Sequence, residues 1–138
     1  MTVSHILVPY DGSEPSDRAF DEALKIAKKY DSKLLTLTCF HGIVIYPFGF
    51  KDYSLNEKEL PDKFQKLKEK AFAENVSYVH HSIQSPAIVS TIQSFALENN
   101  VDMIIMGSQN RQGLNKELNG DISDEVNRHA HCIVKVVK

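Results

Sequence analysis

Val101-Asp102-Met103-Ile104-Ile105-Met106-Gly107-Ser108-Gln109-Asn110-Arg111-Gln112-Gly113 is the stretch that decides the fold. Its apolar first half reads as a buried strand, and its second half as a loop carrying glycine and hydroxyl. A helix start near Gly120-Asp121 follows. Strand, glycine loop and helix start together aim backbone N–H groups at a phosphate, so nucleotide binding is the first functional hypothesis. Asn110 and Asp121 stand where such a site would prefer glycine and a hydroxyl.

Working outward, the pattern repeats. His5-Ile6-Leu7-Val8-Pro9-Tyr10 is a second apolar strand ending in the polar turn Asp11-Gly12-Ser13. Ser13 suits an N-cap, and Glu14 and Pro15 suit a first helical turn. Ala19, Phe20, Ala23, Leu24 and Ala27 recur at helical spacing, and Leu34 to Phe40 reads as the next strand. Residues His41 to Ser54 lack a period but hold Ile43, Val44, Ile45, Phe48 and Phe50, which predicts an apolar loop acting as a lid or an interface. Leu60, Phe64, Leu67 and Ala71 mark an amphipathic surface helix. Val76 to Ile83 is a less apolar strand, expected near a sheet edge. Pro86 is expected to open a helix burying Ile88, Val89, Ile92, Phe95 and Ala96 and stopping at Asn99-Asn100. The last helix is expected to bury Ile122 and Val126, and Cys132 to Val137 is the last strand.

Strands and helices thus alternate five strands deep, and the strands are short continuous apolar runs. That calls for a three-layer α/β/α open sandwich, a parallel sheet with helices on both faces. Ligands of such sheets sit at the carboxyl ends of strands beside the switch point. If the first and fourth strands are neighbours, one crevice collects both the Asp11-Gly12-Ser13 turn and the Gly107-Ser108 turn.

The whole chain sets bounds on function. At 138 residues, with 42% hydrophobic and 25% charged side chains, it reads as one globular domain over residues 1–138. Sixteen basic against 18 acidic side chains leave a formal charge of -2 and no basic stripe, which argues against nucleic acid as a direct partner. No apolar run approaches the roughly 20 residues of a membrane helix, and the start lacks a signal-peptide pattern, so no membrane and a cytoplasmic location are expected. Cys39 and Cys132 lie in strand-like runs and read as small core hydrophobes. His80 and His81, adjacent on a strand, point to opposite faces and cannot chelate together; His129 and His131 likewise diverge, and no metal site is expected.

The residues in hand resemble the universal stress protein family along essentially the whole chain. Its opening is similar to Ile6-Leu7-Val8-Pro9-Tyr10-Asp11-Gly12-Ser13-Glu14-Pro15-Ser16. Its closing signature is similar to Ile105-Met106-Gly107-Ser108, Arg111, Gly113-Leu114, Gly120, Val126, Arg128-His129-Ala130, Cys132, Val134, Val136 and Val137. The resemblance implies an adenine nucleotide alpha hydrolase-like fold with strand order 3-2-1-4-5, a homodimer through the last strand, Cys132 to Val137, and in one subgroup ATP or AMP in the crevice. Mg²⁺ would enter only with ATP. Carried over residue by residue, the nucleotide site comprises Pro9, Tyr10, Asp11, Gly12 and Ser13, the backbone near Cys39 at the adenine edge, Met106, Gly107, Ser108, Asn110 and Arg111, and Gly120, Asp121, Ile122 and Ser123.

ATP-binding members carry Gly, two residues, Gly, nine residues, Gly and then Ser or Thr. Here the spacing is kept by Gly107, Asn110, Gly120 and Asp121, while two of those four identities differ. Gln84-Ser85-Pro86 likewise replaces the Gly-x-Pro of many members. Asparagine tolerates positive φ best after glycine, so Asn110 preserves the loop shape. An ionised Asp121 is acceptor-only and repels a phosphate by roughly 1 kcal/mol in a bulk-like medium and about 4 kcal/mol at an effective dielectric of 20, for charges about 4 Å apart. It is equally a good N-cap. As a built-in anion it would weaken ATP while leaving room for AMP. Asp11 has two readings, a ligand acceptor and a cap of its own turn. Ser108, Arg111 and Ser123 are phosphate-contact candidates, Arg111 as the positive charge.

Three function classes compete. A dimeric module that binds or senses an adenine nucleotide leads, with a non-nucleotide-binding stress or interaction protein as its variant. A slow ATPase is the enzymatic alternative; no Ser-His-Asp or Cys-His constellation supports efficient catalysis. A phosphoacceptor receiver domain needs an aspartate after the third strand, where Ile83-Gln84-Ser85 supplies none.

Overall fold

The computed structural model describes residues 3–40, 43–45, 49–51, 60–108 and 122–138. Strand β1 (His5–Pro9) lies at the centre of a five-stranded parallel sheet with β2 (Lys33–Phe40) and β5 (Tyr78–Gln84) on one side and β6 (Met103–Gly107) and β7 (Ile133–Val137) on the other. The order β5-β2-β1-β6-β7 is 3-2-1-4-5 when the sheet strands are counted along the chain. The expected edge position of the Val76–Ile83 segment is met by β5. The segment read as an aperiodic loop contains instead an antiparallel pair, β3 (Ile43–Ile45) and β4 (Gly49–Lys51), outside the main sheet. Runs of three residues are too short for a period to register.

Side chains alternate along each strand, so the sheet has two distinct faces. Helices α1 (Glu14–Tyr30) and α2 (Leu60–Ala73) cover one, where Ile6, Val8, Leu34 and Ile105 pack with Phe20, Ala23, Ala27, Leu67 and Ala71. Helices α3 (Ile88–Glu98) and α4 (Ile122–His129) cover the other, where Leu7, Leu35, Leu37, Ile104 and Met106 pack with Ile92, Phe95, Ala96 and Val126. His80 and His81 fall on opposite faces as expected: His80 stacks on Phe64 of α2, ring centroids 3.8 Å apart, and His81 meets Phe95 of α3 at 5.0 Å.

Local chemistry sets the helix ends. Ser13 caps α1, its hydroxyl accepting from the Ser16 amide at 3.3 Å, with proline in the first turn and Glu14 and Asp17 at the positive end of the dipole. Asp31, Asn75 and Asn100 follow α1, α2 and α3 in the left-handed region, with φ of 56°, 57° and 55°. Helix α3 starts at Ile88 rather than at Pro86, with no side-chain cap at Ala87. Asp102, the polar residue inside the opening apolar run, clamps the sheet's far end: its Oδ2 accepts from the Ser4 and His5 amides at 2.7 and 2.9 Å.

Candidate functional site

The chain crosses back after β5, so α3 delivers β6 beside β1 and the connections diverge from that pair. A crevice opens there, at the carboxyl ends of the strands, where open α/β sheets take ligands. It has a volume of about 120 Å³ and is lined by Pro9 at the end of β1 with Tyr10 and Asp11 behind it, Ser13, Pro15 and Ser16 at the start of α1, Leu37 and Cys39 of β2, Ile88 and Ile92 of α3, Met106 and Gly107 of β6, and Ile122 and Ser123 of α4. The two polar turns read from the sequence therefore do meet in one place.

The first turn is built in detail. Ser13 N–H donates to Asp11 Oδ1 at 2.9 Å, so the turn-capping reading of Asp11 is realised. A carboxylate has about four lone-pair sites, so capping and ligand acceptance are compatible. Gly12 takes φ of 82°, a conformation glycine adopts without a Cβ clash. Its carbonyl accepts from Lys63 Nζ at 2.8 Å. Tyr10 O–H donates to Asp17 Oδ1 at 2.6 Å, and its own carbonyl accepts from Thr38 Oγ1 at 2.7 Å. Burial, reinforced by the bond to Asp17, pushes the Tyr10 phenol far above its usual range, so it stays neutral.

Gly107 has a packing reason beyond any ligand. A Cβ built on it would stand 2.2 Å from the Pro15 carbonyl oxygen and 2.7 Å from Pro15 Cβ. The end of β6 thus abuts the first turn of α1, which fixes the distance between the two turns. The floor is apolar: Leu37, Ile92 and Met106 are buried, and Cys39 is half-buried. Burial pushes the Cys39 thiol up to about 11, so it faces the crevice as a neutral thiol. Cys132 is partly buried against the core on the same side of the sheet, its thiol raised by burial and then by Asp102.

Of the residues predicted for the site, Pro9, Tyr10, Asp11, Ser13, Cys39, Met106, Gly107, Ile122 and Ser123 line the crevice. Ile122 was expected in the core and is only half-buried, because it closes this wall. Gly12 and Ser108 do not line it; the Ser108 amide donates to the Val137 carbonyl at 2.8 Å and ties the loop start to β7. Asn110, Arg111, Gly120 and Asp121 lie outside the described residues. Pro15, Ser16, Leu37, Ile88 and Ile92 were not assigned to the site. Ile88 and Ile92 carry helical spacing and Leu37 a strand run, but periodicity marks a buried face without telling a core from a pocket wall, and Pro15 and Ser16 carry only the signal of a helix start. Among the described residues, no group of three His, Cys, Asp or Glu side chains could hold a metal, and no helix is long and apolar enough to cross a membrane.

Comparison with known proteins adds the lineage. A universal stress protein of Methanocaldococcus jannaschii is 29% identical over 138 residues, covering 96% of this chain and 81% of its own. A protein of Staphylococcus haemolyticus assigned to the same family is 28% identical over 144 residues, covering 100% of this chain and 86% of its own. Among solved structures, a universal stress protein in complex with cAMP superposes with a TM-score of 0.74 at 21% identity, covering 99% of this chain and 98% of that one. One from Archaeoglobus fulgidus in complex with dAMP gives 0.70 at 15% identity over 99% and 98%. One from Arabidopsis thaliana with AMP bound gives 0.66 at 17% identity over 98% and 91%. Those superpositions establish the shared fold. The model of the universal stress protein family matches residues 2–138, so the chain belongs to the universal stress protein family.

Proposed function

We propose that the crevice binds an adenine nucleotide, a monophosphate in preference to ATP, and that the protein serves stress response as a dimeric nucleotide-sensing module. The observation that carries this reading is the meeting of the Asp11–Ser13 turn with Gly107 over the apolar floor of Leu37, Ile92 and Met106. A slot of this kind suits a flat base, with Asp11 accepting from a ribose hydroxyl and Ser123 offering its hydroxyl to a phosphate. The cAMP, AMP and dAMP complexes of structurally similar family members support the same ligand class.

The preference for a monophosphate rests on the sequence of the Gly107–Ser123 frame, in which Asp121 replaces a hydroxyl. Calorimetry tests it with AMP and with ATP and Mg²⁺. Asp121→Ser should tighten ATP about fivefold to tenfold, for the removal of roughly 1 kcal/mol of repulsion, and leave AMP within twofold. Equal ATP affinity in the two proteins contradicts the built-in anion. The dimer is assigned to β7, a sheet-edge strand whose Ile133 is 41% exposed. Light scattering should give twice the chain mass at micromolar concentration, and a monomer there overturns this part.

A further inference from the structure

The Asp11–Ser13 turn is held from a distance by a residue that does not line the crevice. Lys63, in the first turn of α2, reaches across 51 positions of chain to donate from Nζ to the Gly12 carbonyl at 2.8 Å. It also lies 3.6 Å from Asp17 Oδ2, so the carbonyl is its closer contact. The Gly12 C=O and the Ser13 N–H belong to one planar peptide group. Asp11 Oδ1 takes the N–H end of that group at 2.9 Å while Lys63 takes the carbonyl end. Ser13 is fixed on the helix side by its capping bonds, while a glycine at φ of 82° leaves the other side of the peptide plane less constrained, so these two contacts help to set its direction.

The position of Lys63 is set in turn by how α2 docks. Leu67 and Ala71 of that helix are buried, and Phe64 stacks on His80 at 3.8 Å and meets the Tyr10 ring at 6.1 Å. Tyr10 completes the loop, because its hydroxyl donates to the same Asp17 carboxylate that Lys63 approaches. We infer that Lys63 is a positioning residue for the crevice: by fixing the Gly12–Ser13 peptide it orients the Asp11 carboxylate towards a ligand hydroxyl, and it makes nucleotide affinity depend on the docking of α2. The inference rests on the nucleotide reading above and adds to it a coupling between a helix on one face of the sheet and a ligand on the other.

Lys63→Met keeps the aliphatic stem and removes the donor; Lys63→Arg keeps a charged donor. The readouts are amide hydrogen exchange at Gly12 and Ser13 in the ligand-free protein, and calorimetric AMP affinity. Loss of one charge-assisted hydrogen bond should speed exchange at the Ser13 amide about tenfold and weaken AMP by a similar factor, with α3 amides unchanged. Lys63→Arg should restore most of both. Unchanged exchange in Lys63→Met overturns the inference, and so does faster exchange with AMP affinity within twofold of wild type. Failure of the wild-type protein to bind AMP overturns the nucleotide reading instead, and the exchange result then still decides whether Lys63 holds the turn.

Discussion

The two faces of the sheet are built from different chemistry. On the α3/α4 face the strands present Leu7, Leu35, Leu37, Ile104 and Met106, an apolar layer whose carboxyl end becomes the floor of the crevice. On the α1/α2 face the apolar layer of Ile6, Val8, Leu34 and Ile105 is joined by buried hydroxyls of β2. Thr36 Oγ1 lies 2.5 Å from the Tyr78 hydroxyl and 2.8 Å from His80 Nδ1, and Thr38 bonds the Tyr10 carbonyl at 2.7 Å. His80 Nε2 continues the chain to Ser82 Oγ at 2.9 Å. Apolar packing is non-directional, whereas hydrogen bonds fix angles. The lesson is a division of labour: one face shapes a slot, and the other face orients the turn that closes it.

Core truncations on the two faces should separate most strongly. Phe20, fully buried on the sheet-facing side of α1 and edge-on to Tyr78 at 5.6 Å, should lose about 3–5 kcal/mol of stability as Phe20→Ala while AMP affinity of the folded protein holds. Ile92→Ala on the other face should lose about 2–5 kcal/mol and also weaken AMP, because Ile92 is both core and crevice wall. Urea unfolding and calorimetry on the same samples check both, and equal effects on AMP would break the division.

Gly107→Ala comes next. The added methyl group meets Pro15 backbone at 2.2 Å, and such overpacking should remove about 3 kcal/mol in urea unfolding and shift the two turns apart. A neutral substitution there would mean that the β6 end does not brace α1.

Thr36→Val tests the polar face alone. It keeps the buried volume but strips the partner shared by Tyr78 and His80, for an expected loss of about 1–3 kcal/mol. Little change would mean that those groups find other partners.

The smallest expected effect is a pH dependence. Burial, with a smaller contribution from His81, pushes the His80 imidazole down to about 4, below its unfolded value of 6.5. The unfolded chain therefore binds the proton first, so this contribution is complete above pH 6.5 and is lost as pH falls towards 4. His80→Gln should flatten that part of the stability profile relative to wild type. Parallel profiles would show that the ring is not held neutral by the fold.

Much of this was legible in the sequence. The alternation of apolar runs and helical spacing names the sheet, and the two glycine turns name the end where the crevice opens, because both are local patterns. Asp11 illustrates the limit: the cap it forms and the ligand contact proposed for it use the same carboxylate, so local chemistry does not choose between them. Asp102 and Lys63 carry no local signal, for a different reason. Each acts on a segment far along the chain, on Ser4 and His5 in one case and on Gly12 in the other, and no spacing rule carries such a contact. The sequence offers Gly107 as a phosphate glycine, and its proximity to Pro15 supplies a steric reason for glycine at that position.

The central claim is most directly tested by an amide NMR titration of the wild-type protein with AMP. The account predicts saturable shifts at Asp11, Gly12, Ser13, Cys39, Gly107 and Ser123, with the far ends of β1 and β6 at His5 and Met103 unmoved. Absence of saturation at millimolar AMP, or shifts that map away from the β1–β6 crevice, would contradict it.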